Sequence, residues 1–272
     1  MGLRIRGSLM PYVYERLDPV VQKILALNPG PMTLDGTNTW VIGDVDRQPP
    51  IIIDPGPLDE DHLDRVLAAS GGSASAVLVT HRHHDHTDGA ARMGELAGCP
   101  VMAADPAFAS SPQDVIGDGY LRTVGNLTVQ ALATPGHTSD SMSFLLGGEI
   151  ESSYLITGDM VLGRGTTVIT YPDGDLAAYL ESLELMITVV EQHSVAEILP
   201  GHGDRVTDPA GVLRYYREHR LQRLAEVRAA LAAGDRTPTE IVRRVYADVD
   251  PSVWPAAEQS VRAQLDYLER RG

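Results

Sequence analysis

The first 200 residues contain short apolar runs, rich in Val, Ile and Leu, that end at Gly, Pro or Asp. Runs of this length and composition, closed by turn-forming residues, are typical of strands buried in a sheet. They predict nine strands, over residues 20–27, 39–43, 51–54, 76–79, 101–104, 127–132, 142–146, 154–157 and 196–200. Apolar residues at helical spacing predict helices over residues 59–69, from residue 90 onward, and over 175–192. The pattern indicates an α/β fold, and two mixed sheets packed face to face with helices outside would satisfy it.

From Pro209 onward the apolar residues occur at helical spacing and no longer in strand-like runs. We predict a long amphipathic helix over residues 212–233 and a further helix over 256–270. Between them, Thr237-Pro238-Thr239-Glu240 has the capping-box pattern with proline just inside, which predicts a short helix through residue 247. The change in pattern predicts two domains, a large α/β domain over residues 1–208 and a small helical domain over 209–272.

Four histidines and one aspartate occupy residues 81–86, directly after the predicted strand 76–79 and on the turn into a helix. Neutral imidazole and carboxylate are ligands that suit Zn²⁺. In the H-x-H-x-D-H spacing, His81 and His83 project from one stretch toward a first metal. Asp85 and His86 lie further round the turn, where they can face a second metal. The cluster therefore predicts a metal site at the carboxyl end of a strand.

Three further ligand types occur downstream, each beside glycine and just after an apolar stretch. They are His137, Asp159 and His202. Such positions are where a strand ends and the backbone can turn tightly, so the three side chains are expected at the same edge as the cluster. We predict seven metal ligands: His81, His83 and His137 for one ion, Asp85 and His86 for the other, with His202 and a bridging Asp159 joining them.

The order H-x-H-x-D-H, then His, Asp and His, resembles that of the metallo-β-lactamase superfamily of dinuclear hydrolases. The resemblance extends from about residue 28 to residue 202, and more loosely to the C-terminus. Residues 28–39 and 163–167 further resemble a subgroup, the lactamase-beta-like-2 proteins, whose best-known animal member is a mitochondrial single-stranded-RNA endonuclease. Related members cleave thioesters during polyketide synthesis. The resemblance implies a four-layer αββα sandwich followed by a winged-helix-like C-terminal domain.

Two zinc ions are the expected cofactors, because His83 stands where di-iron members of the superfamily typically carry a carboxylate. Two such ions share a bridging water and lower its pKa toward about 7, which gives a hydroxide nucleophile at neutral pH. We expect Asp85 to orient this nucleophile as the catalytic carboxylate. No Ser or Cys nucleophile is needed, so single-displacement hydrolysis is predicted, and it suits an acyl carbon or a phosphorus equally well.

Substrate contacts are predicted on loops at the ligand edge. These residues are Thr37, Asn38, Arg164, Thr166 and Thr167, four uncharged side chains and one cation. The alternative is that the Gly-Thr-Thr stretch only turns the chain beside Asp159.

Other polar residues near the predicted ligands are expected to support them or to be unrelated. Asp54, at a strand end, and Asp88, after the motif, are candidates to orient imidazoles. His62, His193 and His219 fall in predicted helices and are expected at the surface.

Charge bears on the choice of substrate. The chain carries a net charge of −15, yet residues 212–272 hold 11 arginines against 9 acidic residues, so the first 211 residues carry −17. Strong acidity opposes non-specific binding of polyphosphate. On the subgroup resemblance we predict cleavage of single-stranded RNA. The alternative, which the acidic core favours, is a thioesterase or glyoxalase-II-like hydrolase. A third alternative is a metal-stabilised protein that binds nucleic acid or a partner.

The sequence predicts a cytoplasmic protein with no membrane segment. It has no apolar stretch of 18 residues, and the basic residues 1–7 are not followed by the apolar region of an export signal. For the same reason a periplasmic β-lactamase is disfavoured. A single cysteine, Cys99, does not indicate an oxidising compartment. An apolar side on the helix at 212–233 would allow a homodimer.

Overall fold

The structure is a computed structural model and describes residues 14–150 and 152–271. Its first sheet contains six strands in chain order: β1 (Tyr14–Asp18), β2 (Val21–Leu25), β3 (Asn38–Ile42), β4 (Ile51–Ile53), β5 (Ala76–Leu78) and β6 (Val101–Met102). Strands β1 to β4 pair antiparallel, and β4, β5 and β6 run parallel. The carboxyl ends of β4 and β5 therefore meet at one edge of the sheet.

The second sheet has the order β11-β10-β9-β8-β7. Its strands are β7 (Leu121–Val124), β8 (Leu127–Ala133), β9 (Met142–Gly148), β10 (Ser153–Gly158) and β11 (Val195–Pro200). Only β10 and β11 are parallel, and the helix between them provides the crossover. The ends of β10 and β11 thus lie side by side, as those of β4 and β5 do in the first sheet.

Seven α-helices accompany the sheets in the described part of the chain. They are α1 (Glu60–Ala69), α2 (His84–Thr87), α3 (Ala90–Ala97), α4 (Leu176–Gln192), α5 (Pro209–Ala232), α6 (Pro238–Val245) and α7 (Trp254–Arg271). Side-chain caps fix several helix starts: Asp59 accepts from two backbone N–H groups of α1, and Asp175 accepts from Ala178 N of α4. The capping box predicted at Thr237 and Glu240 is confirmed.

The main core lies between the two sheets. Trp40 and Ile53 of the first sheet share a buried apolar cluster with Phe144 and Ile156 of the second. Residues on the opposite faces of the same strands, such as Val41 and Ile52, pack against α1 and α3, and α4 and α5 cover the outer face of the second sheet. Because successive side chains of a strand point to opposite faces, both sheets are buried on two sides. The predicted αββα sandwich is confirmed.

Helix α5 belongs to two clusters. Leu213 and Tyr216, in its first half, pack in the core on the outer face of the second sheet. Val227 and Ala230, in its second half, pack with α6 and α7 in a small C-terminal core. The domain boundary at 208/209 stays a prediction; α5 begins there, but its first half is packed on the sandwich. The homodimer also stays a prediction.

Two strands escaped the sequence prediction. Both β1 and β7 carry mixed polar side chains and are partly exposed, because each is an edge strand of its sheet and has no continuous apolar run. The four-residue helix α2 was also not predicted. The segment 1–7 lies outside the described residues. Among the helices of residues 14–150 and 152–271, none combines the length and the hydrophobicity that a bilayer span requires.

Candidate metal centre

The seven predicted metal ligands come together at the edge of the sandwich where the strands end. His81 and His83 follow β5, and α2 carries Asp85 and His86. His137, Asp159 and His202 follow β8, β10 and β11. The parallel pairs in each sheet explain this convergence, since they bring successive carboxyl ends to one edge.

The side chains form two groups in which the potential ligand atoms lie within 4.8 Å of one another: His81, His83, His137 and Asp159 in the first, and Asp85, His86 and His202 in the second. In the first group His83 Nδ1 is 3.0 Å from the Nε2 atoms of both His81 and His137. In the second group His202 Nε2 is 3.1 Å from Asp85 Oδ2 and 3.3 Å from His86 Nε2.

Asp159 lies between the groups. Its Oδ2 is 3.7 Å from His137 Nε2, whereas its Oδ1 is 3.4 Å from the Nε2 atoms of both His86 and His202. Asp159 Oδ1 is buried and has no hydrogen-bond partner among the described residues. Asp159 therefore contacts side chains of both groups.

The donor set fits divalent cations because the outer ring nitrogens fix the tautomers. Nδ1 of His137 donates to Val168 O at 2.6 Å, Nδ1 of His202 donates to Gly36 O at 3.0 Å, and Nδ1 of His86 donates to Asp54 at 2.8 Å. In neutral imidazoles the three Nε2 atoms then carry lone pairs that face each other and the carboxylates. Such a cluster needs positive charge at its centre, which protons or metal ions supply.

The pKa shifts of His202 and Asp85 also show that the cluster favours positive charge. Burial lowers the pKa of His202, but Asp159 and Asp85 outweigh burial and raise it to about 9. Burial raises the pKa of Asp85, but His86 and His202 outweigh burial and lower it to about 2. Burial lowers the pKa of His137 to about 4, so this imidazole is neutral and ready to bind a metal near pH 7.

Asp54 holds the second group in place. Its carboxylate is buried and accepts from Thr80 N at 2.8 Å, Thr80 Oγ1 at 2.7 Å and His86 Nδ1 at 2.8 Å. The residue has φ of 51°, which turns the chain sharply after β4. Asp88, by contrast, is exposed and pairs with His84 at 3.0 Å. The expectation that Asp88 orients a metal-binding imidazole is therefore wrong, because its partner is not one of the seven.

Gly201 leaves room for the cluster. A Cβ at this position would lie 2.6 Å from Asp159 Oδ1 and 2.8 Å from His86 Cε1. Any larger residue would displace both side chains, so the glycine before His202 is required by close packing.

Comparison with known proteins supports the same assignment. Residues 32–202 match the model of the Metallo-beta-lactamase superfamily, and residues 237–272 match that of the Beta-lactamase associated winged helix domain. The chain belongs to the metallo-β-lactamase superfamily. The predicted recognition and the prediction of a hydrolase are confirmed at this level.

Superfamily relatives resemble almost the whole chain. A Beta-lactamase-like protein 2 homolog of Drosophila melanogaster is 33% identical over 97% of this chain and 92% of its own length. An Atrochrysone carboxyl ACP thioesterase of Aspergillus chevalieri is 34% identical over 92% of this chain and 82% of its own length. A solved Beta-lactamase domain protein from Burkholderia ambifaria is 25% identical, with a TM-score of 0.77 over 97% of this chain and 90% of that structure.

Two of the five residues predicted to contact the substrate are buried in the structure. Thr37 Oγ1 accepts from Asn28 Nδ2 at 3.0 Å and lies 3.2 Å from Asp85 Oδ2. Asn38 donates its Nδ2 to Pro200 O at 3.0 Å and to Gly203 O at 2.9 Å. Both side chains are at most 1% exposed. The expectation of substrate contact is corrected: Thr37 contacts Asp85, and Asn38 ties β3 to the His202 loop.

The other three predicted contacts lie on the loop after β10. Arg164 pairs with Asp35 at the surface, and Thr166 borders a cavity. Thr167 is buried, and its Oγ1 lies 3.2 Å from His137 Nδ1. This loop therefore supports His137 and also faces the cavity. The alternative that it only turns the chain does not account for these contacts.

The cavity next to the metal centre has a volume of about 340 Å³, at the small end of ligand pockets. Its lining includes His137 and Asp159 together with residues of the C-terminal helices α5 and α7. Its apolar lining includes Met32, Leu34, Leu162, Val168, Val249, Val253, Ala256 and Ala257, and its polar lining includes His219, Arg220, Arg223 and Ser260. Sequence patterns gave no signal for the C-terminal part of this wall.

The histidines outside the motif differ from expectation in two of three cases. His193 is exposed at the end of α4, as predicted. His62 is fully buried, with Nε2 3.0 Å from Thr39 Oγ1, and burial lowers its pKa to about 4. His219 is half-buried and lines the cavity. The surface assignment of His62 and His219 is wrong, because their helices turn these positions inward.

Proposed function

We propose that the protein is a dinuclear metal-dependent hydrolase that cleaves acyl thioesters. The observation that carries this proposal is the small, largely apolar cavity whose lining includes His137 and Asp159. A hydrophobic acyl group bound there would lie beside the cluster in which seven potential metal ligands converge.

The metal part of the proposal assigns His81, His83, His137 and Asp159 to one ion and Asp85, His86 and His202 to the other, with Asp159 also reaching the second group. Five imidazoles and two carboxylates suit Zn²⁺, so two zinc ions are the proposed cofactors. The chemistry that bound divalent cations supply at such a site is a hydroxide nucleophile near neutral pH and polarisation of the scissile carbonyl oxygen.

The protein side chains contribute position and charge. Asp85 is more than a quarter exposed, and its Oδ1 could accept a hydrogen bond from a nucleophilic water and orient it. Thr37 holds the other oxygen, Oδ2, through the 3.2 Å hydrogen bond. Asp54 fixes the tautomer of His86, so that its Nε2 stays directed into the site.

Several observations favour a thioester over RNA. The cavity is narrow and its walls are mostly apolar, whereas a single strand of RNA needs an extended basic groove. The first 211 residues carry −17. Six of the eleven C-terminal arginines pair with a carboxylate, as in Arg244 with Asp235 and Arg262 with Glu258. A relative whose name describes an ACP thioesterase supports the same choice.

Cleavage of single-stranded RNA is the second candidate. It is favoured by the match of residues 237–272 to a winged-helix domain and by the subgroup resemblance of residues 28–39 and 163–167. Among residues 237–271, however, the structure contains helices and no strand that would form a wing.

An assay on zinc-loaded protein, with a metal-free control, distinguishes the two candidates. One arm uses S-lactoylglutathione and a panel of acyl-CoA thioesters, and the other uses a labelled single-stranded RNA. We expect thioester hydrolysis that is lost with a chelator and in Asp85→Ala and Asp159→Ala, and RNA that stays intact.

Asp88→Asn is the matched control, because this carboxylate follows the same motif and, among residues 14–150 and 152–271, has a hydrogen bond only to His84. It should retain full turnover. RNA cleavage that depends on metal and on Asp85, with thioesters left unchanged, would overturn the proposal in favour of the second candidate.

A further inference from the structure

The cavity contains a buried cation whose charge no carboxylate neutralises. Arg220 lies on α5 and is 2% exposed. Its guanidinium donates to Thr167 O and lies over the Tyr179 ring, 5.1 Å from the centroid. Its Nε has no partner among the described residues.

The other two arginines that border the cavity are neutralised. Arg223, less than one turn further along α5, pairs with Glu226 at 2.7 Å, and Arg164 pairs with Asp35. Arg220 has no carboxylate within 4.0 Å in the described part of the chain, although it is the most deeply buried of the three. Burying an uncompensated charge is costly, so a residue kept in this state calls for an anion from outside the protein.

Resting on the proposed function, we propose that the cavity takes acyl groups that carry a second carboxylate, and that Arg220 binds this distal carboxylate. His137 and Asp159, two of the potential metal ligands, line the same cavity as Arg220. A dicarboxylic acyl group therefore matches the three kinds of surface in the cavity, which are metal ligands, apolar side chains and a buried cation.

The neighbouring polar groups fit this assignment. His219, next to Arg220, lines the cavity with an Nδ1 that has no partner among the described residues. Ser260 Oγ accepts from Ile169 N, which leaves its hydroxyl proton free for a ligand oxygen. Together with the guanidinium fork these groups suit a planar carboxylate.

A nucleotide phosphate is a weaker fit for the same cation. The cavity that Arg220 lines is also lined by Val249, Val253 and Ala257. Ribose and base would lose water at this apolar surface without gaining hydrogen bonds, whereas the methylene groups of an acyl chain gain from burial there. Phosphate binding is therefore treated as an outcome of the test.

The test compares adipoyl-CoA with its isostere, in which an isopropyl group replaces the distal carboxylate, on the zinc-loaded full chain. A hydrogen-bonded charge contributes about 1.5–3 kcal/mol, so kcat/KM for adipoyl-CoA should be about 10- to 100-fold higher, mainly through KM. Arg220→Met should abolish this preference, and Arg220→Lys should keep part of it. Arg223→Met is the matched control, and any loss it causes should fall equally on both substrates.

Two results would overturn the inference. One is a wild-type enzyme without preference. The other is an Arg220→Met variant that loses activity equally on both substrates, which would restrict Arg220 to holding Thr167 beside His137. Circular dichroism shows whether Arg220→Met has folded. If it has not, the substrate preference of Arg220→Lys provides the test instead.

A binding measurement separates this inference from the proposed function. Calorimetry compares adipate with the isosteric monoacid; since each has one carboxylate for the metals, their difference reports the second carboxylate. Arg220-dependent binding of adipate without thioester turnover would refute the thioesterase and retain the dicarboxylate site. Arg220-dependent binding of adenosine monophosphate in preference to adipate would assign the site to phosphate and overturn the proposal.

Discussion

Asp54 offers a sharp test of how the second metal-binding group is organised. In Asp54→Asn the side chain keeps its shape, and asparagine tolerates the residue's φ of 51° well. The three hydrogen bonds to the carboxylate, however, cannot all survive. With the amide oxygen on Thr80 N, the NH₂ group faces the Nδ1–H of His86, and the reverse orientation directs NH₂ at Thr80 N–H.

In the first orientation two hydrogen-bond donors face each other. This repulsion is removed if the proton of His86 moves from Nδ1 to Nε2. Nε2 is the atom that lies 3.4 Å from both Asp85 Oδ2 and Asp159 Oδ1, at the centre of the site. A protonated Nε2 cannot bind a metal ion. Loss of such a supporting carboxylate costs about 10- to 100-fold in metal affinity. The first group should be less affected, because its three imidazoles do not contact Asp54.

Zinc affinity and stoichiometry, measured by competition with a chromophoric chelator, check this expectation. Wild-type protein should bind two equivalents tightly, and Asp54→Asn one tight and one weakened equivalent, with the weakened site about 1.4–2.7 kcal/mol less favourable. Asp88→Asn should match wild type. Two unchanged affinities in Asp54→Asn would refute the proposed control of the His86 tautomer.

Three further predictions test the site and its scaffold. Gly201→Ala should lower zinc content and turnover by at least about tenfold, because its Cβ would lie 2.6 Å from Asp159 Oδ1, and a normal zinc content would contradict the close packing. The pKa of His62 is lowered to about 4 in the folded protein. In the unfolded chain His62 takes up a proton near pH 6.5, so acid favours the unfolded state. The free energy of unfolding should therefore fall by about 3 kcal/mol as the pH drops from 6.5 toward 4. Urea unfolding of metal-free protein should show a flatter pH profile for His62→Gln, and identical profiles would count against this. Phe144→Ala, fully buried between the sheets, should cost about 3–5 kcal/mol of unfolding free energy in the same assay, whereas a loss below about 1 kcal/mol would mean that this core is not tightly packed.

The convergence of the seven predicted ligand side chains was largely predictable because its signals are local. Each of the seven ligand positions follows an apolar run and a turn, and parallel strands carry such positions to one edge. Asp54 was found by the same reasoning, since it directly follows β4. Chain spacing thus gave the members of the site, while the partner of each ring nitrogen, such as Gly36 O for His202, appears only in three dimensions.

The substrate side was less predictable for a physical reason. Asn38 lies next to the ligand edge, but whether its amide faces solvent or the carbonyls of Pro200 and Gly203 depends on contacts more than 160 residues apart in the chain. The cavity wall has the same origin, because Val253 and Arg220 become its lining only when the C-terminal helices pack against the sandwich. The edge strand β7 was missed since its partial exposure removes the apolar run that marks a buried strand.

The sharing of α5 between two cores has a consequence for cooperativity. Leu213 and Tyr216 are interior residues of the sandwich, and Val227 and Ala230 are interior residues of the C-terminal core, all on one continuous helix. Loss of either core therefore withdraws a packing surface from the other. We therefore expect the two parts to unfold together, and a chain ending at residue 208 would expose apolar surface on α4 that α5 now covers. The change of sequence pattern near residue 209 therefore marks a change in composition. Buried packing extends across it through α5.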